Sequence, residues 1–123
     1  VRLVDSCGWI EVFTDGPAAG RYAELLERPE ELIVPSIVLH EVYKVLARAA
    51  GEETALRCAA FMQQARLVAL EASLAMESAE TALRHGLAMA DAIVYATALR
   101  HGAELVTSDA DLEGLPGVRF IAG

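Results

Sequence analysis

Short apolar runs alternate along the chain with longer stretches of helical period, and the alternation predicts strands and helices in turn. RLV at 2–4 ends on Asp5, and SCGWIEVFTDG follows as a helix that Ser6 would cap and Gly16 would stop. AAGRYAELLER gathers Tyr22, Leu25 and Leu26 on one face, with Arg21, Glu24 and Arg28 elsewhere, and Pro29 closes it. ELIVP is a second short strand. Pro35 and Ser36 open SIVLHEVYKVLARAA, a strong helix ended by Gly51, and its hairpin partner EETALRCAAFMQQAR begins with two acids favourable at a helix N-terminus. LVAL at 67–70 is a third strand. SLAMESAETALRHG and ADAIVYATALRHG are helices ending in the same Leu-Arg-His-Gly string, which reads as shared capping chemistry and not as a repeat. Leu105 to Thr107 is a fourth strand running into a polar turn, and VRFIA, after a Leu-Pro-Gly turn, is a fifth.

This order argues for an α/β domain whose parallel sheet is covered on both faces, and in such sheets sites gather beyond the carboxyl ends of the strands. A length of 123 residues fits one domain, 1–123, and no linker interrupts it. With 54% apolar and 23% charged residues the chain can bury a core and is not a disordered spacer. Charge narrows the picture further: ten Lys and Arg against eighteen Asp and Glu leave −8, which excludes a broad basic groove for nucleic acid or an anionic membrane. The longest nearly uncharged run, Leu87 to Leu99, falls short of the ~20 residues that cross a bilayer. VRLV is too short for the apolar region of a signal peptide, so Cys7 and Cys58 are expected to be reduced thiols in a soluble cytoplasmic protein.

The acids carry the candidate chemistry. Asp5 ends the first strand and Asp109 follows the fourth, so neighbouring strands would bring both carboxylates to one edge of the sheet. Each alone is also an ordinary turn or cap residue. Asp91 is the only charge between Leu87 and Leu99, and needs either an exposed helix start, as an N-cap, or a cation to face. Glu41 sits among Ile37, Val38, Val42 and Val45, with Lys44 three residues on and Arg48 seven; an exposed Glu41–Lys44 pair is the plain reading of it alone. Together, carboxylates from separate elements repel one another unless a hard divalent cation sits between them, and an oxygen-only set suits Mg²⁺ or Mn²⁺. No Cys and His cluster has zinc-ligand spacing, and no G-x-S-x-G elbow or glycine-rich phosphate loop is present. His85 and His101 read as C-terminal helix residues, and His40 as helix surface or packing.

LVDSCGWIE, PSIVLHEV, MADAIVYATAL and LVTSDADL, in that order and across nearly the whole chain, resemble the four acidic motifs of PIN-domain nucleases. Order, spacing and length are most similar to VapC-type toxins of toxin–antitoxin pairs, which are metal-dependent ribonucleases. The resemblance implies a PIN-like three-layer α/β/α domain with a short central parallel sheet of four to five strands. It carries metal binding and catalysis onto Asp5, Glu41, Asp91 and Asp109, with Asp111 as an additional acid. Ser6 and Thr107 match hydroxyl positions that support the acids, whereas Cys7 stands where a second small hydroxyl residue is frequent, which leaves its contribution open.

The activity implied is Mg²⁺- or Mn²⁺-dependent hydrolysis of an RNA phosphodiester by a homodimeric toxin whose partner is a small antitoxin. Nine of the ten basic residues are Arg, suited to phosphate, and Lys44 with Arg48 on Glu41's helix could lead the RNA backbone inward. Their plain reading is solvated helix charge. The hairpin 36–66 offers a groove for an amphipathic helix of the antitoxin. Two other classes compete. A phospho-acceptor signalling domain also sets acids at strand ends, but it needs an Asp closing the third strand and a late Lys; here that strand runs to Glu71 and Lys44 is the only Lys. A non-catalytic acidic module that binds a partner protein would differ in not binding Mg²⁺ or Mn²⁺.

Overall fold

In a computed structural model describing residues 1–123, the apolar runs pair edge to edge. The strands are β1 (Arg2–Val4), β2 (Leu32–Pro35), β3 (Arg66–Val68), β4 (Glu104–Thr107) and β5 (Val118–Phe120), and every neighbouring pair is parallel, in the order β3-β2-β1-β4-β5. Parallel neighbours need crossovers, and the helices supply them: α1 (Ser6–Phe13), α2 (Ala19–Ala23), α3 (Ser36–Ala50), α4 (Glu52–Met62), α5 (Ala72–His85) and α6 (Met89–Arg100). The result is the expected α/β/α arrangement with five strands. All four residues of β2 are buried, as a strand covered on both faces requires, whereas the edge strands β3 and β5 are short and partly exposed. No helix is long and apolar enough to cross a membrane.

One core of 24 buried residues joins the layers, with Leu3, Val4, Val34, Leu105 and Val106 from the sheet meeting Trp9, Val38, Val42, Leu46 and Tyr95 from the helices. Trp9 buries its ring and donates its indole N–H to the Val4 carbonyl at 3.1 Å, which fixes α1 against the strand it leaves. The Leu-Arg-His-Gly strings end both helices as expected: Gly86 and Gly102 adopt φ of 66° and 60°, where a side chain would be strained. Arg100, in the second string, also bonds Glu71, Ser73 and Glu77, clamping the end of α6 to the start of α5.

Several local expectations are corrected. Ser6 does not cap α1; Asp5 does, accepting the Ser6 N–H at 2.8 Å, and the helix stops at Phe13, ahead of Gly16. Tyr22, Leu25 and Leu26 are buried as read, but the segment is no continuous helix. α2 ends at Ala23 and a 3₁₀ turn, Glu24–Leu26, lets the adjacent Leu25 and Leu26 both face inward. Pro29 opens a second 3₁₀ turn, Pro29–Glu31. The third strand is Arg66–Val68 and not 67–70, because its partner β2 runs out at Pro35, which pairs with Val68. Glu71 lies beyond it and caps α5, accepting the Ser73 and Leu74 N–H groups.

Leu105, fully buried in a central strand, and Leu83, 88% exposed on α5, give a clean contrast. Leu105→Ala should destabilise the fold by about 2–5 kcal/mol in urea titration, and Leu83→Ala by less than about 0.5 kcal/mol. Equal losses would contradict the packing described.

Candidate functional site

Strand order decides where a site can form. From β1 the chain moves to β2 and β3 on one side and returns to β4 on the other, so the crevice between the carboxyl ends of β1 and β4 is left uncovered by a crossover. Asp5 leaves β1 at that point and Ser108 and Asp109 leave β4. The Asp5 N–H donates to the Val106 carbonyl at 3.0 Å, so the two strand ends are held side by side. Glu41 arrives from α3 and Asp91 from the first turn of α6. Together Asp5, Ser6, Cys7, Glu41, Ala90, Asp91, Val94, Ser108 and Asp109 line a cavity of about 270 Å³.

Asp5 is 6% exposed, yet its carboxylate is satisfied by the Thr107 hydroxyl, which donates to Oδ2 at 2.8 Å, and by the Ser6 N–H at Oδ1. Burial pushes its pKa up, these two bonds pull it down, and the Asp109 charge raises it again. Burial also raises Glu41, with the Asp5 charge adding and Ser6, His40 and Lys44 opposing. Glu41 forms no ion pair with Lys44, which is exposed, so the plain reading of a surface pair does not hold.

Asp91 is not an N-cap. Ala88 occupies that position, and Asp91 is the third residue of α6, aimed into the acidic cavity. Its pKa is pushed from 3.8 to about 7, first by burial, then by the Asp109 carboxylate beside it, with Asp5 and Asp111 adding. One carboxylate oxygen each from Asp91, Asp109 and Asp111 lies within 4.8 Å of the other two. Asp109 is held in place by two main-chain bonds: its N–H donates to Thr107 Oγ1 at 3.0 Å, and its Oδ1 accepts the Asp111 N–H at 2.9 Å. Asp111 is exposed at the rim and outside the cavity lining.

The structure thus brings Asp5, Glu41, Asp91 and Asp109 around one cavity, joins Asp111 to two of them, and places Ser6 and Thr107 where they bond Asp5. Lys44 and Arg48 lie elsewhere. With His40, Tyr43 and Leu56 they line a larger neighbouring groove of about 770 Å³ along the α3–α4 hairpin. Ser108 lines the acidic cavity without having been singled out in the sequence; its position between Thr107 and Asp109 was the available signal. Cys7 also lines it and accepts the Ser108 N–H at 3.3 Å, with burial pushing its thiol pKa up. His85 ends α5 and packs edge-on against Tyr95, away from the acids.

A three-layer α/β domain with carboxylates converging at its topological switch point defines a class of acidic-site proteins. The chain belongs to the PIN domain family, whose model matches residues 2–118. Among solved structures it is similar to a chain of a toxin–antitoxin complex from Klebsiella pneumoniae (25% identity, 97% of this chain and 96% of that one, TM-score 0.83). It is similar in fold to VapC20 of Mycobacterium tuberculosis, described as a sarcin-ricin loop cleaving toxin (23%, 97% and 99%, TM-score 0.78). It also resembles in fold a chain of DNA-bound VapBC from Salmonella typhimurium (18%, 97% and 95%, TM-score 0.68). No curated protein matches the chain in sequence.

Asp91 makes stability depend on pH. Between 3.8 and about 7 the folded protein holds a proton that the unfolded chain has released, so the contribution is complete below about pH 4 and lost as pH rises through about 7. In EDTA the melting temperature should fall across this window, and Asp91→Asn should reduce that slope. A slope unchanged by the substitution would separate Asp91 from the charge cluster.

Proposed function

We propose that the chain is a metal-dependent endoribonuclease acting as the toxin of a toxin–antitoxin pair, with Asp5, Glu41, Asp91 and Asp109 as its catalytic, metal-holding acids. The observation that carries this reading is the crowding of like charge: Asp91, Asp109 and Asp111 offer oxygens within 4.8 Å, and no Lys, Arg or His lines the cavity they share with Asp5 and Glu41. Carboxylates gathered this way fit a hard divalent cation, Mg²⁺ or Mn²⁺, because the donors are all oxygen. When bound, such a cation supplies an acidified water and offsets charge on the leaving oxygen of a phosphodiester. The chain's own residues supply the positioning. Asp5 is locked by Thr107 and Ser6, Asp109 by Thr107 and Asp111, and Asp91 rides on a buried helix. Asp111, exposed at the rim, is the additional acid of the set.

Lys44 and Arg48 are exposed, free of ion pairs and one turn apart on Glu41's helix, which supports contact with RNA phosphates beside the cavity. The same groove, with Leu39, Tyr43, Leu56 and Ala59 on its walls, fits an amphipathic antitoxin helix, and the Klebsiella complex supports such a partner. Exposed Met76, Leu83 and Met89 support a homodimer. Action on RNA in the cytoplasm completes the reading. A phospho-acceptor domain is disfavoured, since Val68, Ala69 and Leu70 stand where its Asp would be and Lys44 is the only Lys.

Purified protein should cleave RNA with Mg²⁺ or Mn²⁺ and stop in EDTA. Asp5→Asn and Asp91→Asn should each lower cleavage by at least about a hundredfold with circular dichroism unchanged. EDTA-resistant cleavage would remove the metal, near-normal cleavage by either variant would remove that residue, and no Mg²⁺ or Mn²⁺ binding at all would favour a non-catalytic acidic module. Mg²⁺ should also raise the melting temperature progressively and beyond NaCl of equal ionic strength, an increment Asp91→Asn should shrink.

For assembly, light scattering should give a dimer mass, and the protein should co-purify with the product of an adjacent small gene. A monomer at every concentration would reject the dimer, and failure to co-purify would count against the antitoxin.

A further inference from the structure

Tyr22 is 1% exposed, and it belongs to the core by its ring but not by its hydroxyl. The oxygen reaches the underside of the acidic cavity, 2.7 Å from Ser108 Oγ and 3.9 Å from Cys7 Sγ, without lining the cavity itself. Cys7 in turn accepts the Ser108 N–H and lies 3.7 Å from Thr107 Oγ1, the hydroxyl that holds both Asp5 and the Asp109 N–H. Gly8 shows how closely the ring is seated. A Cβ there would stand 2.5 Å from Tyr22 Cδ1 and Cε1 and 2.6 Å from Val4 Cγ1, so α1 passes over this tyrosine only with glycine at position 8.

We propose that Tyr22 is a positioning residue of the acidic site: through Ser108 and Cys7 it fixes the turn leaving β4, and thereby sets where Asp109 stands relative to Asp5 and Asp91. A hydroxyl buried only for packing would need one partner. This one meets two side chains at the turn leaving β4, Ser108 itself and Cys7, whose Sγ accepts the Ser108 N–H, while Thr107 Oγ1 accepts the Asp109 N–H. Tyr22→Phe would keep the ring and the fold but free Ser108, loosening the carboxylate whose place depends on it. The inference rests on the nuclease reading for its functional consequence, and on the hydrogen bonds alone for its structural one.

The test compares wild type, Tyr22→Phe, Ser108→Ala and the double variant by Mn²⁺ titration, RNA cleavage kinetics, and amide hydrogen exchange in the metal-free protein. Tyr22→Phe should weaken Mn²⁺ binding and lower kcat roughly ten- to hundredfold with KM for RNA unchanged, as partners behind metal ligands do. The double variant should be no worse than the worse single, since the Tyr22–Ser108 bond that Ser108→Ala removes is already lost in Tyr22→Phe. Exchange should quicken at Ser108 and Asp109 and not in β1 or β2. Wild-type Mn²⁺ affinity and kcat in Tyr22→Phe, or additive effects, would overturn the proposal. If wild type binds no Mn²⁺ and cuts no RNA, the nuclease reading fails on its own. Exchange then decides the positioning role: confined quickening at Ser108 and Asp109 upholds it and unchanged exchange rejects it.

Discussion

The site hangs on the hydrogen bond from Thr107 to Asp5. A carboxylate as buried as that of Asp5 costs several kcal/mol unless its oxygens are bonded, and only two donors reach it, the Ser6 N–H and the Thr107 hydroxyl. The first comes free with the start of α1. The second crosses from β1 to β4, and because Thr107 Oγ1 also accepts the Asp109 N–H, satisfying Asp5 simultaneously places Asp109. The buried charge therefore works as a registration device: the strands need not pair more than three or four residues each, since their carboxyl ends are pinned by the groups the site uses.

How much of this was legible in the sequence follows from which interactions are local. The alternation of short apolar runs with helical stretches gave all five strands and six helices, because a parallel sheet with both faces covered leaves continuous apolar runs that periodicity detects. Asp91 stood out because a lone charge in an apolar stretch must be explained, and the structure gives the explanation in Asp109, eighteen residues further on. The failures were short-range contests. Asp5 and Ser6 both suit a cap, and the backbone took the acid. The third strand overran because only its partner, Pro35 at the end of β2, limits it. The Tyr22 hydroxyl was illegible, since Tyr22 and Ser108 are 86 positions apart and nothing in an apolar helical face marks one oxygen as polar contact.

The net charge of −8 looks opposed to nucleic-acid binding until the cations are located. Arg2, Arg28, Arg57 and Arg100 are spent on Glu partners, all at least partly exposed, where such pairs contribute little to stability. Lys44 and Arg48 are unpaired and lie together along one groove, on the helix that carries Glu41. The field of these two charges decays over about 10 Å at moderate salt, which on the nuclease reading proposed above suits a brief contact beside the cavity and not a long track along RNA.

Asp91 shows which effect governs the site. α6 buries every residue from Ala92 to Ala98, so it is apolar all round and its N-terminus cannot swing away from Asp109. That N-terminus itself favours an anion, by about 1 kcal/mol, less than one pKa unit. Asp91 nevertheless sits near 7 and not below 3.8, so burial and the neighbouring carboxylates outweigh the helix dipole. A fold seeking only stability would relieve this with Asn or Ala. Retaining the acid on a helix too well packed to yield leaves its charge without a basic partner in the chain, and on the metal-dependent reading proposed above a divalent cation would balance it with a single particle, where a Lys or Arg side chain would fill the cavity the acids surround.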